Sequence, residues 1–177
     1  MDLDWQPVLD HLDLVAAPVA EALAQLPFAD EVKVAPIDPE LADTAQFCAR
    51  YGVTPEQSAN CVIVVGKRAG ETTYAAGLLL ATTRLDVNGA VRTRLGARKA
   101  SFAPLAEAIE LTGMEFGGIT AIGLPGWPLL VDSRVAAAGG QVVIGSGIRA
   151  SKLALPAARV AQLPAAELIG GLAQTVQ

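Results

Sequence analysis

The spacing of apolar and polar positions predicts the elements of this chain one at a time. Val8, Leu12, Leu14, Val15, Val19, Leu23 and Leu26 fall near helical spacing and predict a helix over residues 5–26. Pro18 breaks or restarts it, and Leu26-Pro27 ends it. Residues 31–37 alternate as a strand, and Pro36 points to a sheet edge. Asp43 is placed to cap a helix through Tyr51 that Gly52 stops; its apolar face is Ala45, Phe47, Cys48 and Ala49. Residues 61–65 are continuously apolar, as in a central strand, and residues 73–83 form a second strand. The segment Asp86-Val87-Asn88-Gly89 reads two ways. Asn-Gly signals a hairpin, while Asp86 can cap a short helix running to Leu95. Residues 98–102 are extended. Pro104 opens and Gly113 closes a helix that carries Leu105, Ala108, Ile109 and Thr112.

Further on, residues 129–131, 141–144 and 152–155 predict short strands, and residues 157–162 and 165–173 short helices. Strands and helices are interspersed without strict alternation. The expected fold is α+β: a single domain with a mixed, mostly antiparallel β-sheet flanked by helices. Residues 1–40 are expected to form an acidic helical and strand extension packed on the domain built by residues 41–177.

One stretch fits neither period. Residues 112–128 hold five glycines and two prolines among seventeen residues, which excludes a regular helix or a central strand. Yet Met114, Phe116, Ile119, Ile122, Leu124 and Trp127 are apolar, so the loop is expected to pack on the domain. Backbone N–H groups fixed in such a loop can face an oxyanion or a phosphate. The same stretch also reads as a wide turn between two strands.

Charge is divided unevenly. The chain carries −5 overall, but residues 1–43 carry −9 and residues 44–177 carry +4. Arg84, Arg92, Arg94, Arg98 and Lys99 crowd one segment against Asp86 alone. A local basic patch recruits phosphates even on an acidic protein, though a solvated face has the same composition. With 52% hydrophobic residues, disorder is excluded. No apolar run approaches a membrane span, and the acidic start Met1-Asp2-Leu3-Asp4 is unlike a secretory or transit leader. A cytoplasmic protein is the expectation.

Side-chain chemistry is sparse. His11 is the one histidine and lies in the acidic segment, so a Ser-His-Asp or Cys-His arrangement depends on it alone. Cys48 and Cys61 stand thirteen apart with no histidine nearby, which argues against zinc, and each reads as a small core residue. No phosphate-loop or dinucleotide motif is present; Gly145-Ser146-Gly147 is too short to be one. No cofactor and no metal are expected. An enzyme with this inventory works by positioning, fixed dipoles and water.

That profile goes with a sequence resemblance. The blocks Asp43-Thr44-Ala45-Gln46-Phe47, Gln57-Ser58-Ala59-Asn60-Cys61-Val62-Ile63-Val64, Gly96-Ala97-Arg98-Lys99-Ala100-Ser101-Phe102, residues 112–124, Val131-Asp132 and Ile144-Gly145-Ser146-Gly147 occur in order between residues 41 and 163. Together they resemble the YbaK-like aminoacyl-tRNA deacylases, which share a domain with the editing insertion of bacterial prolyl-tRNA synthetases. The resemblance implies hydrolysis of the ester of a mischarged tRNA, with an aminoacyl-tRNA synthetase as a possible partner and no membrane. It implies a catalytic set of Asn60, Gly117, Gly118, Ile119, Thr120 and Ala121. Backbone amides of that loop stabilise the oxyanion, and water aided by the substrate's ribose hydroxyl attacks. Lys99, Ser146 and Gly147 are implied to bind the substrate, and Arg98, Arg149 and Lys152 the tRNA. Asp132 is expected to fix a turn.

Two positions depart from the family pattern. Asn60 stands where the family commonly has lysine, which removes a charge; Lys99 and Lys152 are the candidates to supply it. Ala121 stands where proline is usual and loosens the backbone of Thr120. These departures keep a second class of function open: a catalytically weak or inactive tRNA-, nucleotide- or protein-binding module. A Cys61 thiol enzyme is a third.

Overall fold

In the computed structural model, residues 3–176 are described; Met1, Asp2 and Gln177 lie outside them. The framework is a long hairpin, β3 (Ala59–Arg68) and β4 (Glu71–Leu80), in register from Ala59 opposite Leu80 to Arg68 opposite Glu71. Its turn is Ala69 and Gly70, both left-handed at φ 50° and 82°, the handedness a two-residue hairpin favours. β6 (Lys99–Phe102) pairs antiparallel with β3. On the other side β7 (Leu129–Asp132) runs parallel to β4, and β10 (Ala166–Ile169) parallel to β7.

A second sheet has the order β1 (Gln6–Pro7), β2 (Lys33–Pro36), β9 (Ser151–Pro156), β8 (Gln141–Gly145), all antiparallel. One bridge between Ser58 and Val143 joins it to the first sheet. A small ribbon pairs β5 (Thr83–Leu85) with β11 (Ala173–Thr175). The strands are thus mixed and mostly antiparallel, but divided among three sheets. The main core lies between the two larger sheets: Ile63, Leu78, Leu129, Val131, Ile144, Leu153 and Leu155, with Val8, Val19, Leu23 and Val34 from the N-terminal segment. The first forty residues therefore supply two strands and a helix to the same core.

Four local expectations change. Residues 5–16 are not α-helical: β1 is followed by single 3₁₀ turns over Val8–Asp10 and Leu12–Leu14, whose period of three mimics helical spacing. The helix is α1 (Ala17–Gln25), and Pro18 sits in its first turn, where the missing N–H costs nothing. Pro36 is not on an edge strand, because β2 lies between β1 and β9; β1 reaches only Val34, so Pro36 interrupts no ladder on that side. Residues 165–173 form β10 and a glycine turn rather than a helix, since pairing with β7 outweighs local preference.

The helices that frame the site start and stop where expected, although the Asp43 carboxylate makes no capping bond to α2. Asp43 precedes α2 (Thr44–Tyr51), and Gly52 ends it at φ 71°. Only Phe47 of its expected face is buried; Ala45 and Ala49 are exposed. Asp86 accepts hydrogen bonds from the Gly89 and Ala90 amides and starts a wide helical turn leading into α3 (Arg92–Leu95), which excludes the hairpin reading. α4 (Leu105–Thr112) follows Pro104 and closes at Gly113. A short α5 (Ser133–Ala136) starts at Asp132, whose carboxylate accepts from the Arg134 and Ala173 amides. Burial alone raises the Asp132 pKa, but bonds from Arg134 and Ala173 hold it below its usual value; it fixes a turn.

Candidate active site

A cavity of about 360 Å³ opens where the two large sheets meet. Its walls are the start of α2, the first residues of β3, the end of β6, the ends of β8 and β9, and the glycine loop between α4 and β7. Asn60, Gly117, Ile119 and Lys152 line it together, so residues almost a hundred positions apart converge. Exposed Phe102, Leu105 and Phe116 form an apolar rim.

The glycine loop is held by its own backbone. The Gly118 amide donates to Glu115 O (2.9 Å), Glu115 N to Gly147 O (2.8 Å), and Gly147 N to Gly118 O (2.7 Å). Thr120 N donates to Met114 Sδ (3.4 Å). The amides of Gly117 and Ile119 have no acceptor among the described residues, and both residues line the cavity. Of the five-residue stretch expected, these are the two that combine an unengaged N–H with a place in this cavity's wall, available to a developing oxyanion. The Ala121 amide is also unengaged but belongs to another cavity. Gly117 has φ 79°, and a Cβ there would overlap Arg149 Nη1. Arg149 is a clamp. Its Nε donates to Pro39 O (3.1 Å), its Nη1 to Phe116 O (3.3 Å), and Asp43 lies 3.7 Å away. These bonds tie the loop to the segment before α2.

Opposite the loop, the Thr44 hydroxyl donates to Asn60 Oδ1 (2.7 Å), which leaves the Asn60 amide donors for the cavity. Lys152 is 9% exposed. Its ammonium donates to Ala42 O (3.0 Å) and lies 5.1 Å from the centre of the Phe47 ring. Burial holds its pKa below the usual 10.5, against the pull of Cys48 and Asp43. Cys61 also lines the cavity, but burial pushes its thiol up to about 12, the wrong direction for a nucleophile. His11 lies between two 3₁₀ turns, outside the cavity wall.

Several expected site residues stand elsewhere. Lys99 is not at the cavity: it pairs with Lys67, seven residues along β3 from Asn60, roughly 23 Å of strand. Arg98 lines the same groove as Lys99, away from the cavity. Arg149 is engaged in the clamp and half-buried, and Lys152 is buried in the cavity wall, so neither stands as a free surface charge. Ser146 is fully buried; its Oγ lies 3.0 Å from Ser151 O and receives the Ser151 hydroxyl at 2.7 Å, which holds the turn between β8 and β9. Gly147, at φ 89°, packs against Ala16. Ala121 is buried and lines a second cavity behind the loop, with Leu26 and Trp127. The residue of the Gly145-Ser146-Gly147 run that does reach the site is Gly145; a Cβ there would lie 2.7 Å from Gly118 O and 2.8 Å from Ile119 O. Thr44, Gly145 and Phe102 were missed as site residues. Each lies inside a sequence block that carries the family resemblance, but only the folded geometry separates them from their neighbours.

Thr120 is fully buried, and its hydroxyl has no hydrogen-bond partner among the described residues. It reaches no cavity wall. A buried unpaired hydroxyl costs about 1–3 kcal/mol. Thr120→Val is therefore expected to raise Tm by at least about 2 °C and leave activity unchanged. Thermal denaturation and an activity assay check it; a loss of activity assigns the hydroxyl a role in the reaction.

Comparison with known proteins bears on this arrangement. The family profile described as the aminoacyl-tRNA editing domain matches residues 38–163. No curated protein sequence matches significantly. Among solved structures, a proposed trans-editing enzyme for prolyl tRNA synthetase superposes with a TM-score of 0.73 at 21% identity, covering 86% of this chain and 93% of that one. A scaffold protein used for computational epitope grafting gives 0.72 at 20% identity, covering 90% and 96%. A proposed signal transduction protein from Marinobacter aquaeolei gives 0.60 at 22%, covering 88% of this chain and 30% of that one. At these identities the structural likeness is one of fold. Among the described residues no helix is long and apolar enough to cross a membrane, and no cluster of His, Cys, Asp or Glu is disposed to hold a metal.

Proposed function

That this chain belongs to the aminoacyl-tRNA editing domain family is the premise from which we propose its activity: trans-editing hydrolysis of the ester that joins a wrong amino acid to tRNA. One observation carries the reading. Two unengaged loop amides, Gly117 and Ile119, share a cavity with the Asn60 side chain and the Lys152 ammonium. No activated side-chain nucleophile is among them, so water attacks. The water oxygen bonds to the acyl carbon, and the carbonyl oxygen becomes an oxyanion facing the two amides. The bond from the acyl carbon to the ribose oxygen then breaks, and the water's proton ends on that oxygen. The products are free amino acid and uncharged tRNA. An oxyanion donor of this kind is worth about 3 kcal/mol.

Asn60 orients the acyl group through its amide, and Thr44 fixes the direction of that amide. Lys152 supplies the positive charge in the cavity. The partner is a mischarged tRNA, with an aminoacyl-tRNA synthetase as its source. Incubation with a broad panel of mischarged tRNAs is expected to release amino acid from at least one. Saturable tRNA binding with no release from any would instead assign a non-catalytic module, the reading that the uncharged Asn60 favours.

A further inference from the structure

At the end of β6 away from the cavity, Lys67, Arg92, Arg98 and Lys99 line one groove of about 400 Å³, with Asn88 and Ser101 beside them. Arg68 joins Lys67, Arg98 and Lys99 in an adjoining hollow, where Glu71 is the one acid lining either. Arg94, Arg134, Arg149 and Arg159 each have a carboxylate within 4.0 Å; among the described residues these five cations have none. The arrangement is unfavourable for folding. Lys67 and Lys99 are direct partners across the β3–β6 ladder, so like charges stand opposite each other on one face. On a protein of net charge −5, five of the nine cations that have no such carboxylate among the described residues are gathered here, where they repel. An anionic ligand relieves that repulsion. From Lys99, β6 runs three residues to Phe102 on the cavity rim, about 10 Å of strand.

We propose that this groove binds the phosphate backbone of tRNA near its aminoacylated end, and that β6 leads the 3′ strand from the groove to the cavity. The proposal rests on the deacylase reading and names the surface that reading requires. The phosphates give affinity without reading sequence, because they present the same charge on every tRNA. The amino acid is then selected in the cavity, separately from the nucleic acid.

The test compares the wild type with the variant Lys67→Gln/Arg92→Gln/Arg98→Gln/Lys99→Gln, all exposed positions. Binding of fluorescently labelled uncharged tRNA is titrated between 50 and 200 mM NaCl. The variant is expected to bind at least about tenfold more weakly, with a salt slope shallower by about 2–4. Its KM for aminoacyl-tRNA rises far more than its kcat falls. Lys99→Glu alone turns the cross-strand pair attractive, so it is expected to raise Tm by about 1–3 °C while weakening tRNA binding. A patch with no ligand shows the first change without the second. Unchanged affinity and salt slope in the fourfold variant overturn the groove proposal, even where deacylation is intact. Weakened tRNA binding in a protein that hydrolyses no aminoacyl-tRNA leaves the groove standing and removes the deacylase reading. A wild-type protein that binds no tRNA removes both.

Discussion

Gly118→Ala is expected to lower the rate of aminoacyl-ester hydrolysis by about 10²–10³-fold while the protein stays folded. Gly118 is not among the glycines with positive φ, so alanine is tolerated conformationally. The obstacle is space. A Cβ would lie 2.7 Å from the backbone N and C of Ile148 and 2.8 Å from its O, atoms that cannot rotate aside. The loop or the turn of Ser146–Arg149 must shift, and Gly118 O is itself held by Gly147 N. The amides of Gly117 and Ile119 flank the substitution and move with it. Misplacing a preorganised donor by about 1 Å costs on the order of 10²-fold, and losing it 10²–10³-fold. Gly126→Ala is the control from the same loop: nothing lies within 4 Å of its Cβ position, and its φ is not positive. Single-turnover hydrolysis, with circular dichroism to confirm folding, checks both. A folded Gly118→Ala protein with the wild-type rate removes the loop amides from the mechanism.

The importance of this loop was legible because glycine, proline and apolar residues are combined there, and no regular element has that composition. Which amides are free was not legible. That depends on Gly118 N turning back to Glu115 O and on Thr120 N meeting Met114 Sδ, contacts set by the closed loop rather than by residue type. The centres of β3 and β4, with α2, α4 and the strands around residues 129–155, followed from local signals that tertiary packing reinforces, whereas the turn at Ala69-Gly70 and the end of β4 at Leu80 did not. The strand β10 did not, because its partner β7 lies far away in sequence and only the parallel pairing outweighs the local helical pattern of residues 165–173. Lys99 and Lys152 looked equivalent in the sequence, as two lysines beside strand residues. The registers separate them: β6 takes Lys99 to the far end of β3, while β9 takes Lys152 inward to the cavity beneath α2.

Lys152→Met is therefore expected to make the protein more stable and less active. Methionine keeps the length and fills the space, but it removes a charge that is 9% exposed and has Ala42 O as its one hydrogen-bond acceptor among the described residues. Removing that cost adds about 1–2 kcal/mol, or about 2–8 °C in Tm. Removing the ammonium from the cavity costs about 100-fold in kcat/KM if it assists the reacting carbonyl as a charged donor. The pH dependence has a matching sign. The folded-state pKa of Lys152 lies below its usual 10.5: burial lowers it most, Cys48 and Asp43 raise it, and Arg149 lowers it. Between the folded value and 10.5 the unfolded chain binds more protons, so this group's penalty on stability is full below that window and is relieved as pH rises through it. Activity in the wild type falls as pH rises through the folded-state value, below 10.5, and in Lys152→Met this step is absent. Adding Asn60→Lys to Lys152→Met restores a cation to the cavity from the opposite wall and is expected to recover part of the lost rate. If Lys152→Met hydrolyses aminoacyl-tRNA as fast as the wild type, the buried ammonium has no part in the chemistry and the amides of Gly117 and Ile119 act without it.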